Sequence, residues 1–98
     1  MKVLSLTLYK QWFEEIAEGT KTEEYRLAKP YWVKRLQGKE YTEVHFRNGY
    51  TRQAPFMRVE CRGIDLKDGV FIIRLGKILA VTRTPEERLW NEIYRGAK

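Results

Sequence analysis

Gly19-Thr20-Lys21-Thr22-Glu23-Glu24-Tyr25-Arg26 is where the chain leaves a helical pattern and enters a strand pattern. Upstream, Leu8, Trp12, Phe13, Ile16 and Ala17 recur at spacings of three and four, which predicts an amphipathic helix over Tyr9 to Glu18 with these residues in the core. Gly19 suits the helix end, where a left-handed residue is favoured. Beyond it side chains alternate in facing. Thr22, Glu24 and Arg26 are therefore expected on one face of a strand over residues 22–28, with Glu23, Tyr25 and Leu27 on the other. Lys21 stands where the chain leaves the turn. A cation, a hydroxyl, a carboxylate and a guanidinium then converge within roughly 14 Å of strand. The same pattern also describes an ordinary solvated strand face, and spacing does not choose between the two.

The arrangement Gly19, Lys21, Glu24 and Arg26 resembles the G-x-K-x-x-E-x-R signature of the ASCH domain family (activating signal cointegrator homology), part of the PUA-like superfamily of small β-barrels. Leu4-Ser5-Leu6, Pro30-Tyr31-Trp32, Arg35-Leu36 and Phe46-Arg47-Asn48-Gly49-Tyr50 resemble the corresponding stretches of short, stand-alone members. The resemblance covers nearly the whole chain. It implies an α+β fold: a small PUA-like β-barrel of five or six mostly antiparallel strands with two or three flanking helices. It also implies that Lys21, Glu24 and Arg26 line a ligand cleft suited to a base, a nucleotide or a short RNA segment.

Composition sets the outer bounds. Ninety-eight residues make one domain, 1–98, with a core of modest size. A hydrophobic share of 43% beside 33% charged residues is that of a soluble globule, and a net charge of +6 favours polyanionic partners, nucleic acid before membrane. The single cysteine, Cys61, forms no internal disulfide and reads as a small core residue on an alternating strand. With one histidine, His45, there is no Cys/His zinc set, and no cofactor is expected. No apolar run reaches a membrane span, no secretory leader is read at the N-terminus, and a cytoplasmic location is expected.

The remaining elements follow from period and punctuation. Residues 2–7 read as a first strand, with Thr7 the candidate N-cap of the helix that follows. Pro30 opens a short helix that Gly38 ends; Trp32 is expected to pack, while Lys29, Tyr31 and Arg35 face a ligand. Residues 41–47 alternate, with Thr42, Val44 and Phe46 on one face and Glu43, His45 and Arg47 on the other. Asn48-Gly49 signals a tight turn. Met57, Val59 and Cys61 form the inward set of the next strand. Asp68-Gly69 marks another turn, and Gly76 is read as a kink within one long strand from Val70 to Val81. Thr84, Pro85 and Glu87 open a closing helix whose stripe is Leu89, Trp90 and Ile93.

The functional expectation is a nucleic-acid or nucleotide-binding domain, most simply one for single-stranded RNA. Lys21, Thr22, Glu24, Arg26, Lys29, Arg35, Arg47, Tyr50 and Arg52 mix phosphate-binding cations with rings on which bases stack. The alternative is a small hydrolase. Some ASCH proteins resemble amidohydrolases of acylated cytidine that use a lysine, a threonine and a glutamate. Lys21 matches the lysine, but Glu24 stands where the threonine belongs, and the later glutamate has no assigned counterpart here. A ribonuclease would draw acid–base groups from His45, Lys21, Glu24 and Tyr50; in either enzyme Lys21 and Glu24 are the catalytic candidates. A protein-interacting module is the third reading. Partners are expected to be RNA or a nucleotide, with no membrane, and the chain a monomer or weak homodimer.

Overall fold

The computed structural model describes residues 2–83. The closing helix expected from Thr84 onward lies outside them. The elements run β1 (Val3–Thr7), α1 (Lys10–Glu18), β2 (Glu23–Leu27), α2 (Pro30–Leu36), β3 (Glu43–Arg47), β4 (Phe56–Lys67) and β5 (Val70–Thr82). They build an α+β fold. Its five strands form one sheet in the order β1-β3-β4-β5-β2, with β1 parallel to β3 and every other pair antiparallel.

The β4–β5 hairpin is the spine. Lys67 pairs with Val70 across a two-residue turn. Asp68 and Gly69 both have positive φ, the geometry that matches the right-handed twist of the flanking strands. Further along, the register slips between Arg58 and Gly63, opposite the stretch around Gly76. Glu60 there accepts a hydrogen bond from the Lys77 backbone N–H, at 3.3 Å. A side chain at Gly76 would run into Glu60 Oε1 and Arg62 Nε. Gly76 therefore sits within one continuous strand, as its kink reading requires. The slips bend the hairpin, and the sheet curls into a half-barrel. Its edges, β1 and β2, are not paired with each other, so the sheet stays open along this seam where the resemblance implies a barrel.

The concave face holds the core. Leu4 and Leu6 of β1, Val44 and Phe46 of β3, Met57 and Val59 of β4, and Phe71 and Ile73 of β5 point into it. Phe13 and Ile16 of α1 and Leu36 of α2 close it from above. Cys61 and Trp32 pack at its margin, as expected of both.

Four local expectations are corrected. Thr7 ends β1 instead of capping α1; the cap position is Tyr9, with no side-chain hydrogen bond. Thr42 is exposed, and its hydroxyl donates to the Lys2 carbonyl, because β3 begins one residue later. Asn48-Gly49 does not make a two-residue hairpin: residues 48–55 form a loop between β3 and β4. Asn48 Nδ2 is drawn instead to the Leu8 carbonyl, at 2.9 Å. Trp12 is 39% exposed. The core stripe of α1 is narrower than the spacing implied, and Trp12 lies on its edge.

Candidate functional site

β2 is an edge strand whose inward face is charged. Glu24 pairs in register with Ile73, a core residue of β5, and is itself only 5% exposed. A carboxylate so placed needs compensating charge. Arg26, two residues on and on the same face, donates Nη1 to Glu24 Oε2. Lys21 Nζ lies 3.3 Å from Glu24 Oε1. Alternation therefore does place Glu24 and Arg26 together, and the turn after α1 delivers Lys21 to them.

That turn has a definite local cause. Gly19 has φ +85, and the backbone N–H groups of Gly19 and Thr20 donate to the carbonyls of Ile16 and Glu15. Lys21 N–H also donates to Glu15 O. The last carbonyls of α1 are satisfied this way, and the chain is reversed onto β2.

The gap between the two sheet edges forms a cleft of about 770 Å³. Lys21, Glu24 and Arg26 line it from β2 and the turn before it; Thr7 and Leu8 from the β1 side; Tyr9 and Trp12 from the start of α1; Asn48 and Tyr50 from the β3–β4 loop. Arg26 also donates Nη1 to the Tyr25 carbonyl at 3.0 Å and reaches the Thr7 carbonyl with Nη2 at 3.5 Å. Arg26 thus spans the open seam, and its fork is held in one orientation.

The rim is aromatic. Tyr9 is 82% exposed and Tyr50 92%. Lys21 Nζ sits 5.3 Å from the Trp12 ring centre and 4.9 Å from that of Tyr25. The Tyr25 hydroxyl is engaged elsewhere: it donates to Glu23 at 2.6 Å, and that bond pushes the phenol above its ordinary value. The Arg26 guanidinium lies 5.2 Å from the Trp32 ring. The cleft therefore offers a buried carboxylate holding two cations and large rings with free faces. It can hold an anion beside a planar group.

Of the residues singled out in the sequence, Lys21, Glu24, Arg26 and Tyr50 meet in this cleft. The others lie elsewhere. Thr22 is exposed and lines a shallow dent with Glu15 and Glu23. Lys29 is exposed at the cap position of α2. Arg35 stacks on Tyr31 and Trp32 on the α2 surface. Arg52 is exposed in the β3–β4 loop and does not line the cleft. Arg47 is on the outer sheet face, its guanidinium 4.6 Å from the Phe56 ring.

His45 is also on that outer face. Its Nε2 is 2.9 Å from Glu43 Oε1, and Arg58 grips the same carboxylate through Nε and Nη2, each at 3.0 Å. A carboxylate only accepts, so Nε2 carries the proton. The Arg58 bonds, then the His45 bond, lower the Glu43 carboxyl to about 2. His45 belongs to this ion-pair group and does not line the cleft.

Tyr9, Trp12 and Asn48 belong to the cleft but were not singled out for it in the sequence. Trp12 matches the helical stripe, and Asn48 matches a turn. Tyr9 alone was legible in principle, as a large ring just outside a helix's first turn. Among the described residues no helix is long and apolar enough to cross a membrane, and no three His, Cys, Asp or Glu side chains gather as a metal-binding group. No protein-family model matches this chain, and no curated protein matches it.

Proposed function

We propose that this chain is an ASCH-like nucleic-acid-binding domain whose cleft takes one nucleotide unit of single-stranded RNA. The observation that carries the reading is Glu24, 5% exposed, clamping Lys21 and Arg26 in a cleft rimmed by the exposed rings of Tyr9, Trp12 and Tyr50. Lys21 keeps donors beyond its bond to Glu24 and supplies the phosphate contact. The rings supply stacking, which is tolerant of base identity. Arg26 is engaged by Glu24 and the Tyr25 and Thr7 carbonyls and lies over Trp32, so its main work is to hold the carboxylate and the seam. The resemblance of Gly19, Lys21, Glu24 and Arg26 to the ASCH signature supports the same assignment of the cleft.

The experiment is fluorescence anisotropy with a short single-stranded RNA at low salt. Tyr50→Ala and Trp12→Ala should each weaken binding about tenfold or more, the scale of one lost stacking contact. Tyr50 is exposed enough that its removal leaves folding unchanged. Lys21→Arg keeps the cation and should keep most of the affinity. Unchanged binding in both aromatic variants overturns the reading. So does robust turnover of acylated cytidine or RNA that falls about 100-fold in Lys21→Arg, the scale of one acid–base or oxyanion group; that result would make the chain a hydrolase.

A further inference from the structure

The cleft is not the only basic surface, and the others are joined to it. From Arg26 a run of stacked rings and cations crosses α2. Arg26 lies over Trp32; Trp32 meets Tyr31 edge to face, with ring centres 4.8 Å apart; Arg35 lies 5.3 Å from the Tyr31 ring and 6.0 Å from that of Trp32. Beyond this ladder is a hollow of about 460 Å³ lined by Tyr31, Lys34, Arg35, Lys39 and Tyr41, with no carboxylate among them. Lys39 and Tyr41 also line a larger groove of about 810 Å³, which Lys2, Arg62 and Arg74 share.

These cations differ in how far they are already satisfied. Arg62 is paired with Glu60 at 3.3 Å and Arg74 with Asp65 at 2.9 Å. None of the ion pairs among the described residues involves Lys2, Lys34, Arg35 or Lys39. Glu40 is the acid that lines the larger groove beside them. Tyr31 is 61% exposed, and its ring stands beside Lys34 and Arg35. Unpaired cations beside the exposed ring of Tyr31, continuous with a cleft that already combines cations and rings, are the pattern of a groove that tracks a single-stranded backbone and stacks its bases.

We infer that the ligand is an extended single strand of RNA, which runs from the cleft across α2 at Tyr31, Lys34 and Arg35 to the groove at Lys39 and Lys2. This rests on the cleft reading above and adds the length and path of the strand. A free mononucleotide would fill the cleft alone and leave the α2 surface without use. The path calls for at least about four nucleotides, the short end of single-strand site sizes.

The test uses the full chain with fluorescein-labelled oligouridylates of three and twelve nucleotides, titrated at several salt concentrations. The cleft alone makes one or two phosphate contacts, so the trimer should show a log–log salt slope of about −1; with three or four further contacts the dodecamer should reach about −3 to −4. Lys34→Glu with Lys39→Glu, both exposed, should weaken the dodecamer at least about tenfold and leave the trimer unchanged. Tyr50→Ala should weaken both. If trimer and dodecamer bind alike and the double variant changes neither, the strand path is wrong and the cleft reading stands. If the trimer does not bind and Tyr50→Ala is silent, the cleft reading is wrong and the path falls with it. If polyglutamate of matched charge displaces the dodecamer as well as RNA does, the surface serves an acidic protein, and the inference is overturned.

Discussion

Glu24 is the residue on which the cleft turns. Few carboxylates are placed against a core residue on the inward face of a strand, and here two cations answer it. Removing Arg26 leaves Glu24 with Lys21 as its remaining charged partner. A buried ion pair stripped of one member costs roughly 3–5 kcal/mol. The surviving Lys21 contact puts Arg26→Ala at the lower end, about 3 kcal/mol. Glu24→Gln removes the need for compensation, so the double variant Glu24→Gln with Arg26→Ala should recover part of the loss. Urea unfolding of the four proteins measures the coupling directly; strict additivity would show that the two side chains do not interact. Lys21 is the complementary case. Its amine rests on two rings and one carboxylate oxygen, and it keeps donors to spare. It can bind an anion without first breaking the clamp.

At the scale of elements, the α1–β2 junction decides whether Lys21 arrives at all. Gly19 is left-handed, and nothing stands within 4 Å of where its Cβ would be. The cost of a side chain there is therefore conformational and not steric. Gly19→Ala should lower stability by about 1 kcal/mol, and Gly19→Asn by less, since asparagine tolerates this conformation better. Thermal melts give the order. If Gly19→Ala also weakens RNA binding beyond its effect on folding, the turn positions Lys21 as well as ending the helix. The α2 element shows the opposite economy. It has seven residues and one fully buried side chain, Leu36. It is held by its flanks, with Tyr41 donating to the Arg35 carbonyl at 2.6 Å. Trp32 and Val33 pack against the core margin, and the outer surface is left to Tyr31, Lys34 and Arg35.

For the molecule as a whole, acid stability should report the outer face of the sheet. Glu43 is buried between Arg58 and His45 and titrates at about 2 in the folded chain, below its ordinary 4.5. A depressed folded value contributes stability that is fully present above about pH 4.5 and is lost as the pH falls toward about 2. Glu43→Gln lacks this component. The difference in urea midpoint between wild type and Glu43→Gln should shrink as pH falls from about 4.5 toward about 2. A difference that stays constant down to pH 2.5 would refute the assignment. Because this group lies on the face away from the cleft, the substitution should leave RNA affinity at neutral pH unchanged.

Much of the fold was legible because its causes are local. The period-two alternation of β2, β3 and β4 is a property of the backbone, so Glu24 and Arg26 shared a face before any partner strand was known. The left-handed demand at Gly19 and the Asp68-Gly69 turn are likewise set by neighbouring residues. What stayed hidden depends on which strands are neighbours. The order β1-β3-β4-β5-β2 leaves β1 and β2 as the two edges, and their gap is the cleft. No spacing along the chain announces that gap. It turns Trp12 from a core residue into a wall, brings Tyr9 and Asn48 alongside, and leaves Thr22 outside on the far side of the turn. Alternation along β3 set His45 and Arg47 on the face opposite Val44 and Phe46, and packing of the latter pair into the core turned that face away from the site the two were expected to serve. The sequence by itself determined that Glu24 and Arg26 would share one face of a strand, with Lys21 at the turn beside them. Only the curl of the sheet decided what stands across from them, because a side chain's facing is local and its company is set by packing between segments far apart in the chain.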